Sequence, residues 1–212
     1  LVGLKGETML QAIFHGILLA FGLILPLGAQ NVFVFNQGAN HKSLKKSLPV
    51  IITASLCDTL LILLAVLGVT LFLNAFPTLK LIIYIIGLLF LLYMAYSIWN
   101  ERPANQDKSD AMSAKKQIGF AMSVSLLNPH AIMDTIGVIG TSATAYVGHN
   151  RIAFTIACIV VSWLWFMSLA YTGKIIGSID KQGNIIVILN KVSAIIILIV
   201  VCIIIKNIID MF

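Results

Sequence analysis

Six long apolar stretches alternate with short polar connections along the chain: Leu10 to Phe35, Leu48 to Leu73, Leu79 to Trp99, Ile118 to Ala145, Ile152 to Tyr171 and Ile185 to Ile209. Each reaches the roughly 20 residues that an α-helix needs to cross about 30 Å of hydrocarbon. The runs are continuously apolar and lack the period-two alternation of barrel strands, so helices are the predicted elements. The expected fold is an all-α integral membrane protein with six transmembrane helices. The sixth run, nearly featureless from Ile195 to Val201, is expected to face lipid. Residues Leu1 to Thr8 precede the first run and are left out of the span count. That run is too long for a cleaved leader and is expected to stay as a span.

The longest connection, Asn100 to Gln117, is polar and reads as a flexible linker. It separates a first three-helix unit, residues 9–99, from a second, residues 118–212. Three is odd, so a duplicated unit must sit in opposite orientations in the two halves. The expected plan is therefore an inverted 3+3 repeat, an arrangement common among secondary transporters.

Composition narrows the class. Of 212 residues, 59% are hydrophobic and only 10% charged, whereas soluble domains carry about 25% charged residues. An ordinary soluble enzyme is excluded, and no connection approaches the roughly 50 residues of a separate domain. The net charge of +6 is scattered over short loops, where it sets topology rather than a nucleic-acid surface. Connections after helices one, three and five hold Lys42, Lys45, Lys46, Arg102, Lys108, Lys115, Lys116, Lys174 and Lys181, against Lys5, Lys80, Arg151 and Lys206 on the other side. Nine basic residues against four predict both termini outside. Cys57, Cys158 and Cys202 lie in separate apolar runs without metal-ligand spacing, so neither a disulfide framework nor a metal site is expected.

Backbone polar groups at bilayer depth must be satisfied internally, so helix-breaking clusters there imply a protein-lined cavity. Two such clusters occur: Pro26-Leu27-Gly28-Ala29-Gln30-Asn31 in the first run, and Asn128-Pro129-His130 in the fourth. Pro removes an N–H and clashes with the preceding turn, so helices one and four are expected to be broken. They are the first helices of the two halves, and interrupted helices at matching positions point to a midplane binding site.

Two acids sharpen that site. Six of the eight acidic residues lie in loops or at ends, leaving Asp58 and Asp134 in apolar surroundings. A carboxylate at bilayer depth is costly and marks a substrate, ion or proton path, although Asp58 could also simply bond Thr53, Ser55 or Thr59 on its own helix. Together the groups suit a small zwitterion with an additional positive charge. Backbone N–H groups near Gly28, with the amides of Gln30, Asn31 and Asn128 beside Pro129, could hold an α-carboxylate. Asp58 and Asp134 could hold an α-ammonium and a cationic side chain. A carboxyl shielded from water binds protons more readily, so either acid could exchange a proton for substrate, with His130 as a possible relay. His15, His41 and His149 are expected to face solvent or the interface. Trp99 is expected to anchor at the interface, Trp163 and Trp165 to pack between helices, and Gly87, Gly137 and Gly140 to permit close helix approach.

The run Pro26-Leu27-Gly28-Ala29-Gln30-Asn31-Val32-Phe33-Val34 followed by Gln37-Gly38 resembles the first-helix signature of the lysine exporter (LysE) family of bacterial amino-acid exporters. Leu127-Asn128-Pro129-His130 with Asp134-Thr135 resembles its fourth-helix signature, in the form of the arginine and lysine exporters. Ser162-Trp163-Leu164-Trp165-Phe166 and Leu189-Asn190-Lys191 resemble its fifth and sixth helices. The resemblance spans essentially the whole chain. It implies a multi-pass protein of the bacterial plasma (inner) membrane that exports basic amino acids by antiport with protons or under the membrane potential, without a cofactor. Asp58 matches the family's second-helix aspartate, and Asp134 sets the chain apart from the homoserine/threonine branch.

Two other classes compete. Export of a divalent metal cation could use the two aspartates and His130, but such ions want more carboxylates or a His cluster. An intramembrane protease fits less well. Cys57 and Met133 precede the aspartates where a Gly-x-Gly-Asp surround belongs, Gly140-Thr141-Ser142 has no later helical His as base, and HExxH is absent.

Overall fold

The computed structural model describes residues 8–25, 28–41, 43–68, 112–128, 132, 135–179 and 184–209, with scattered positions between 82 and 100. All regular structure among the described residues is helical. Helix α1, Met9–Ile24, opens with a capping box: the Thr8 hydroxyl accepts from the Gln11 N–H and the Gln11 side chain accepts from the Thr8 N–H at 2.9 Å. Its small residues Ala12, Gly16 and Ala20 repeat every four positions and are buried.

The first apolar run is not one straight span. The chain leaves α1 at Leu25 and re-enters a helix at Ala29, giving α2, Ala29–Asn40, with the extended Gly28 as its N-cap. The axes of α1 and α2 differ by 80°. This is the expected first break, although the helix resumes early enough to include Gln30 and Asn31. Pro26 lies outside the described residues. At 12 residues α2 is only about 18 Å long, too short to cross the hydrocarbon. It is also buried nearly all round, including Asn31, Asn36 and Gln37.

Helix α3, Leu44–Val66, and α4, Ala114–Leu126, follow. α4 begins four residues before its apolar run, so Ala114 to Gln117 of the polar stretch are helical. It ends at the second expected break: the Leu127 N–H closes on Ser123, and the Asn128 carbonyl accepts from the Ile132 N–H at 3.0 Å. A π-helical turn, Thr135–Ile139, runs into the short α5, Gly140–Ala143. Helix α6, Gly148–Ile179, starts from a left-handed Gly148 (φ +54°). With 32 residues it spans about 48 Å and projects beyond the apolar thickness. Its first turn includes His149, which the sequence pattern places in a loop. Helix α7 is Asn184–Ile209.

α6 is the mast against which α1, α2 and α3 all pack. Contact with α2 is backbone to backbone. A Cβ built on Gly38 would come within 2.8 Å of the Ala170 Cα, one on Gly173 within 3.1 Å of the Ala39 nitrogen, and one on Gly177 within 2.9 Å of the Ala39 carbonyl carbon. Small residues at these positions let two helices approach closely, which in lipid replaces the hydrophobic drive for association. Of the three glycines expected to permit close approach, a Cβ on Gly137 would meet nothing within 4 Å among the described residues, and Gly87 lies outside those residues. α7 packs Ala194, Ile197 and Val201 against α2, α4 and Leu91, while Ile188, Ile195, Leu198 and Ile199 stay uncovered. Among the described residues, the sixth run therefore has one packed face and one uncovered face. Among the described residues, α3 and α6 are each long and apolar enough to span a membrane, and the bent α1–α2 pair passes when taken together.

Candidate functional site

The α1–α2 elbow is braced by Asn31. Ile24 ends α1, so its carbonyl lacks an intrahelical partner, and the Asn31 Nδ2 donates to it at 2.6 Å. The Asn31 Oδ1 in turn accepts from the indole N–H of Trp165 on α6 at 3.3 Å. Trp165 also meets Phe21 edge-on, with ring centroids 6.3 Å apart. The Asn31 amide is thus committed in both directions to holding the elbow. Gln30 reaches α3 instead, its Nε2 donating to the Ala54 carbonyl at 3.5 Å.

Asp58 lies one turn further along α3 from Ala54. Its Oδ2 accepts from the Ser162 hydroxyl of α6 at 2.5 Å, and Ser162 is itself one turn before Trp165. Elbow and carboxylate are therefore bridged by single helical turns of α3 and α6, each about 5 Å along the axis. The partner of Asp58 is across the helix interface rather than on α3. The candidate local partner Thr59 donates to the Ser55 carbonyl at 2.7 Å and accepts from the Trp163 indole at 3.1 Å. Ser55 Oγ is buried and has no hydrogen-bond partner among the described residues. On the other flank, Cys57 faces Ser125 of α4, one turn before the buried Asn128.

Of the residues singled out by sequence, Gln30, Asn31 and Asp58 are linked through α3 and α6 near the first break, Gly28 caps α2 there, and Asn128 stands at the second break. Pro129, His130 and Asp134 lie outside the described residues. The residues that sequence reasoning missed are Ser162 and Trp165, with Trp163 beside them. Their signal was one hydroxyl and two indole donors within four positions of an apolar helix, a density that packing alone does not require. The three cysteines are free thiols. No group of three potential metal ligands occurs among the described residues.

A second polar cluster closes the far end of α2. His41, expected to face solvent, is buried. The Gln117 Nε2 lies 2.9 Å from His41 Nε2 and donates to the carbonyls of Lys46 at 3.0 Å and Met112 at 2.9 Å. The Ser47 hydroxyl donates to the Gln37 carbonyl at 3.0 Å. Burial and the neighbouring Lys46 charge lower the His41 pKa, favouring the neutral ring. At the opposite end of α1, His15 Nδ1 and the Tyr146 hydroxyl are 2.7 Å apart, and both rings pack on Phe154. His15 is thus half-buried in a tertiary contact. Trp99 is exposed, with the Lys191 ammonium 5.6 Å from its ring.

The LysE type translocator family model matches residues 21–207. YisU of Bacillus subtilis (strain 168), described as a candidate amino-acid transporter, is 53% identical over 186 residues, covering 87% of this chain and 84% of YisU. YggA of Aeromonas hydrophila, described likewise, is 32% identical over 77% of this chain and 73% of its own. The arginine exporter protein ArgO of Enterobacter sp. (strain 638) is 31% identical over 76% of this chain and 78% of its own. No solved structure matches the chain.

Proposed function

The chain belongs to the LysE family of translocators, and on that premise we propose that it exports basic amino acids, arginine or lysine, out of the bacterial cell across the plasma membrane. The observation that carries the reading is the Asp58 carboxylate, set in an apolar helix one turn from the α1–α2 elbow and held there by a neutral donor. A carboxylate in that setting recognises an ammonium or guanidinium group. The N-terminus of α2 supplies the complementary pole, because Gly28 gives it no side-chain cap and its first-turn N–H groups and dipole favour an α-carboxylate. In this reading Gln30, Asn128 and Pro129 shape the carboxylate end, and Asn31 fixes the elbow. Asp134 takes the cationic side chain, and Asp58, Asp134 and His130 carry the exchanged proton. The name of ArgO supports the basic cargo.

The same reading treats the chain as an inverted repeat of residues 9–99 and 118–212 joined by 100–117. The two breaks support it: Gly28 and Asn128 both stand just outside a helix and offer their carbonyls four residues on, to Val32 at 3.1 Å and Ile132 at 3.0 Å. Both termini then lie outside.

The test loads proteoliposomes with arginine, lysine, threonine or Mn²⁺ and follows efflux under an imposed pH gradient. Arginine and lysine are expected to leave faster than from protein-free vesicles, with acceleration by the gradient. Export of threonine or Mn²⁺ in their place would overturn the reading. Asp134→Asn should alter the preference between cationic and neutral cargo.

A further inference from the structure

α6 carries five aliphatic hydroxyls, and four of them do what a hydroxyl in an apolar helix ordinarily does. Thr155, Ser168 and Thr172 donate to carbonyls four residues back, at 2.7–2.8 Å, and Ser178 donates to the carbonyl three back at 2.7 Å. Ser162 alone turns away from its own backbone to the Asp58 carboxylate, although it is 2% exposed and an intrahelical acceptor stood within reach. Its neighbours Trp163 and Trp165 also point their donors outward, to Thr59 and Asn31. This one stretch of α6 therefore holds both α3 and α2.

We infer that Ser162 is a positioning residue for transport, whose hydroxyl occupies the Asp58 carboxylate in the unloaded site and is displaced by the cationic group of the cargo. The inference rests on the reading of Asp58 as the cation site. A carboxylate offers about four acceptor positions and Ser162 fills one, so the hydroxyl orients the group and competes with the cargo for that position. An ammonium or guanidinium brings charge and several donors and displaces a single neutral donor. With the cation gone, the hydroxyl swings back, and the carboxylate is never left bare in an apolar wall.

Among the described residues, the titratable side chains close to Asp58 are Cys57 on α3 and Cys158 on α6. α2 has no titratable residue, α1 only His15, already bonded to Tyr146, and α4 only Lys115 and Lys116 in its first turn. Arg151 of α6 is engaged by the Val66 carbonyl at the end of α3. Among the described residues, Ser162 is thus the neighbour best placed to set how readily Asp58 exchanges its proton.

The experiment compares wild type with Ser162→Ala, Ser162→Cys and Ser162→Thr in proteoliposomes, measuring KM and maximal rate for arginine from pH 5.5 to 8.5. A hydrogen bond to the charged form favours that form, so its loss in Ser162→Ala should move the acid limb of the pH profile up by about one pH unit. Above that limb, KM should fall on the order of tenfold because no competitor remains to displace; below it, the variant should be worse than wild type. Ser162→Thr should restore both features, and Ser162→Cys, a weak donor, should lie between. A merely structural role would lower the rate at every pH and leave the limb in place, and that result would overturn the inference. pH-difference infrared spectroscopy of the carboxyl stretch, with Asp58→Asn identifying the band, reads the same link without cargo. An unshifted band in Ser162→Ala overturns the inference, whereas a shifted band in a protein that moves no arginine overturns only the cargo assignment.

Discussion

Gly173→Ala tests whether backbone-to-backbone packing of α2 on α6 sets the site. The added methyl would sit 3.1 Å from the Ala39 nitrogen and from the Phe35 carbonyl carbon, and overlap the Phe35 carbonyl oxygen. Ordinary contact for such a carbon begins near 3.4 Å. Both partners are main-chain atoms fixed in helical ladders, so no side chain can rotate away and α2 must move off α6 by on the order of 1 Å. Overpacking of this kind costs about 1–3 kcal/mol, and for a chain of this size each kcal/mol lowers Tm by roughly 2–4 °C. The same shift lengthens the 3.3 Å bond from Trp165 to Asn31 beyond hydrogen-bonding range, so the elbow loosens and efflux falls. The assay pairs thermal unfolding of detergent-purified protein with initial efflux rates. Gly119→Ala on α4 is the control, because its Cβ would meet nothing within 4 Å and Ala is favoured over Gly in a helix by about 0.5–1 kcal/mol. The reasoning fails if Gly173→Ala unfolds no earlier than wild type with normal efflux, or if Gly119→Ala loses as much.

Asp58→Asn should abolish export of basic amino acids while the protein still inserts and elutes as a folded species; residual arginine efflux at the wild-type rate would move the cation site elsewhere. Trp165→Phe keeps the ring against Phe21 but removes the donor to Asn31, and should cost about 1 kcal/mol. Asn31→Ala should cost more because it also strips the Ile24 carbonyl, and a double-mutant cycle should return a coupling of roughly the single bond. His41 has a folded-state pKa below its ordinary value, so the unfolded chain binds the extra proton. Stability is therefore complete above about pH 6.5 and is lost as pH falls below it. Thermal unfolding between pH 7.5 and 5 should show this loss in wild type and not in His41→Gln.

Helicity, the membrane setting and the places where helices break are written locally, because an apolar run, or a cluster such as Pro26-Leu27-Gly28, acts first on its own backbone. That is why the breaks at Gly28 and Asn128, and the isolation of Asp58 from the other charges, are legible in the sequence. Which hydroxyl meets Asp58 is not, since Thr59 is its chain neighbour yet Ser162, 104 residues away, makes the bond. The same holds for Asn31, whose amide braces the elbow, and for His41, drawn under α4 by Gln117 rather than left in solvent. Glycine roles divide likewise: Gly38, Gly173 and Gly177 matter and Gly137 does not, because a missing Cβ counts only where another backbone arrives to fill its place. A helical membrane chain with two broken helices and an acid set among apolar residues can be read from local residue order. The partners emerge from packing alone, because partner choice depends on the register and rotation of packed helices, which short-range patterns do not encode.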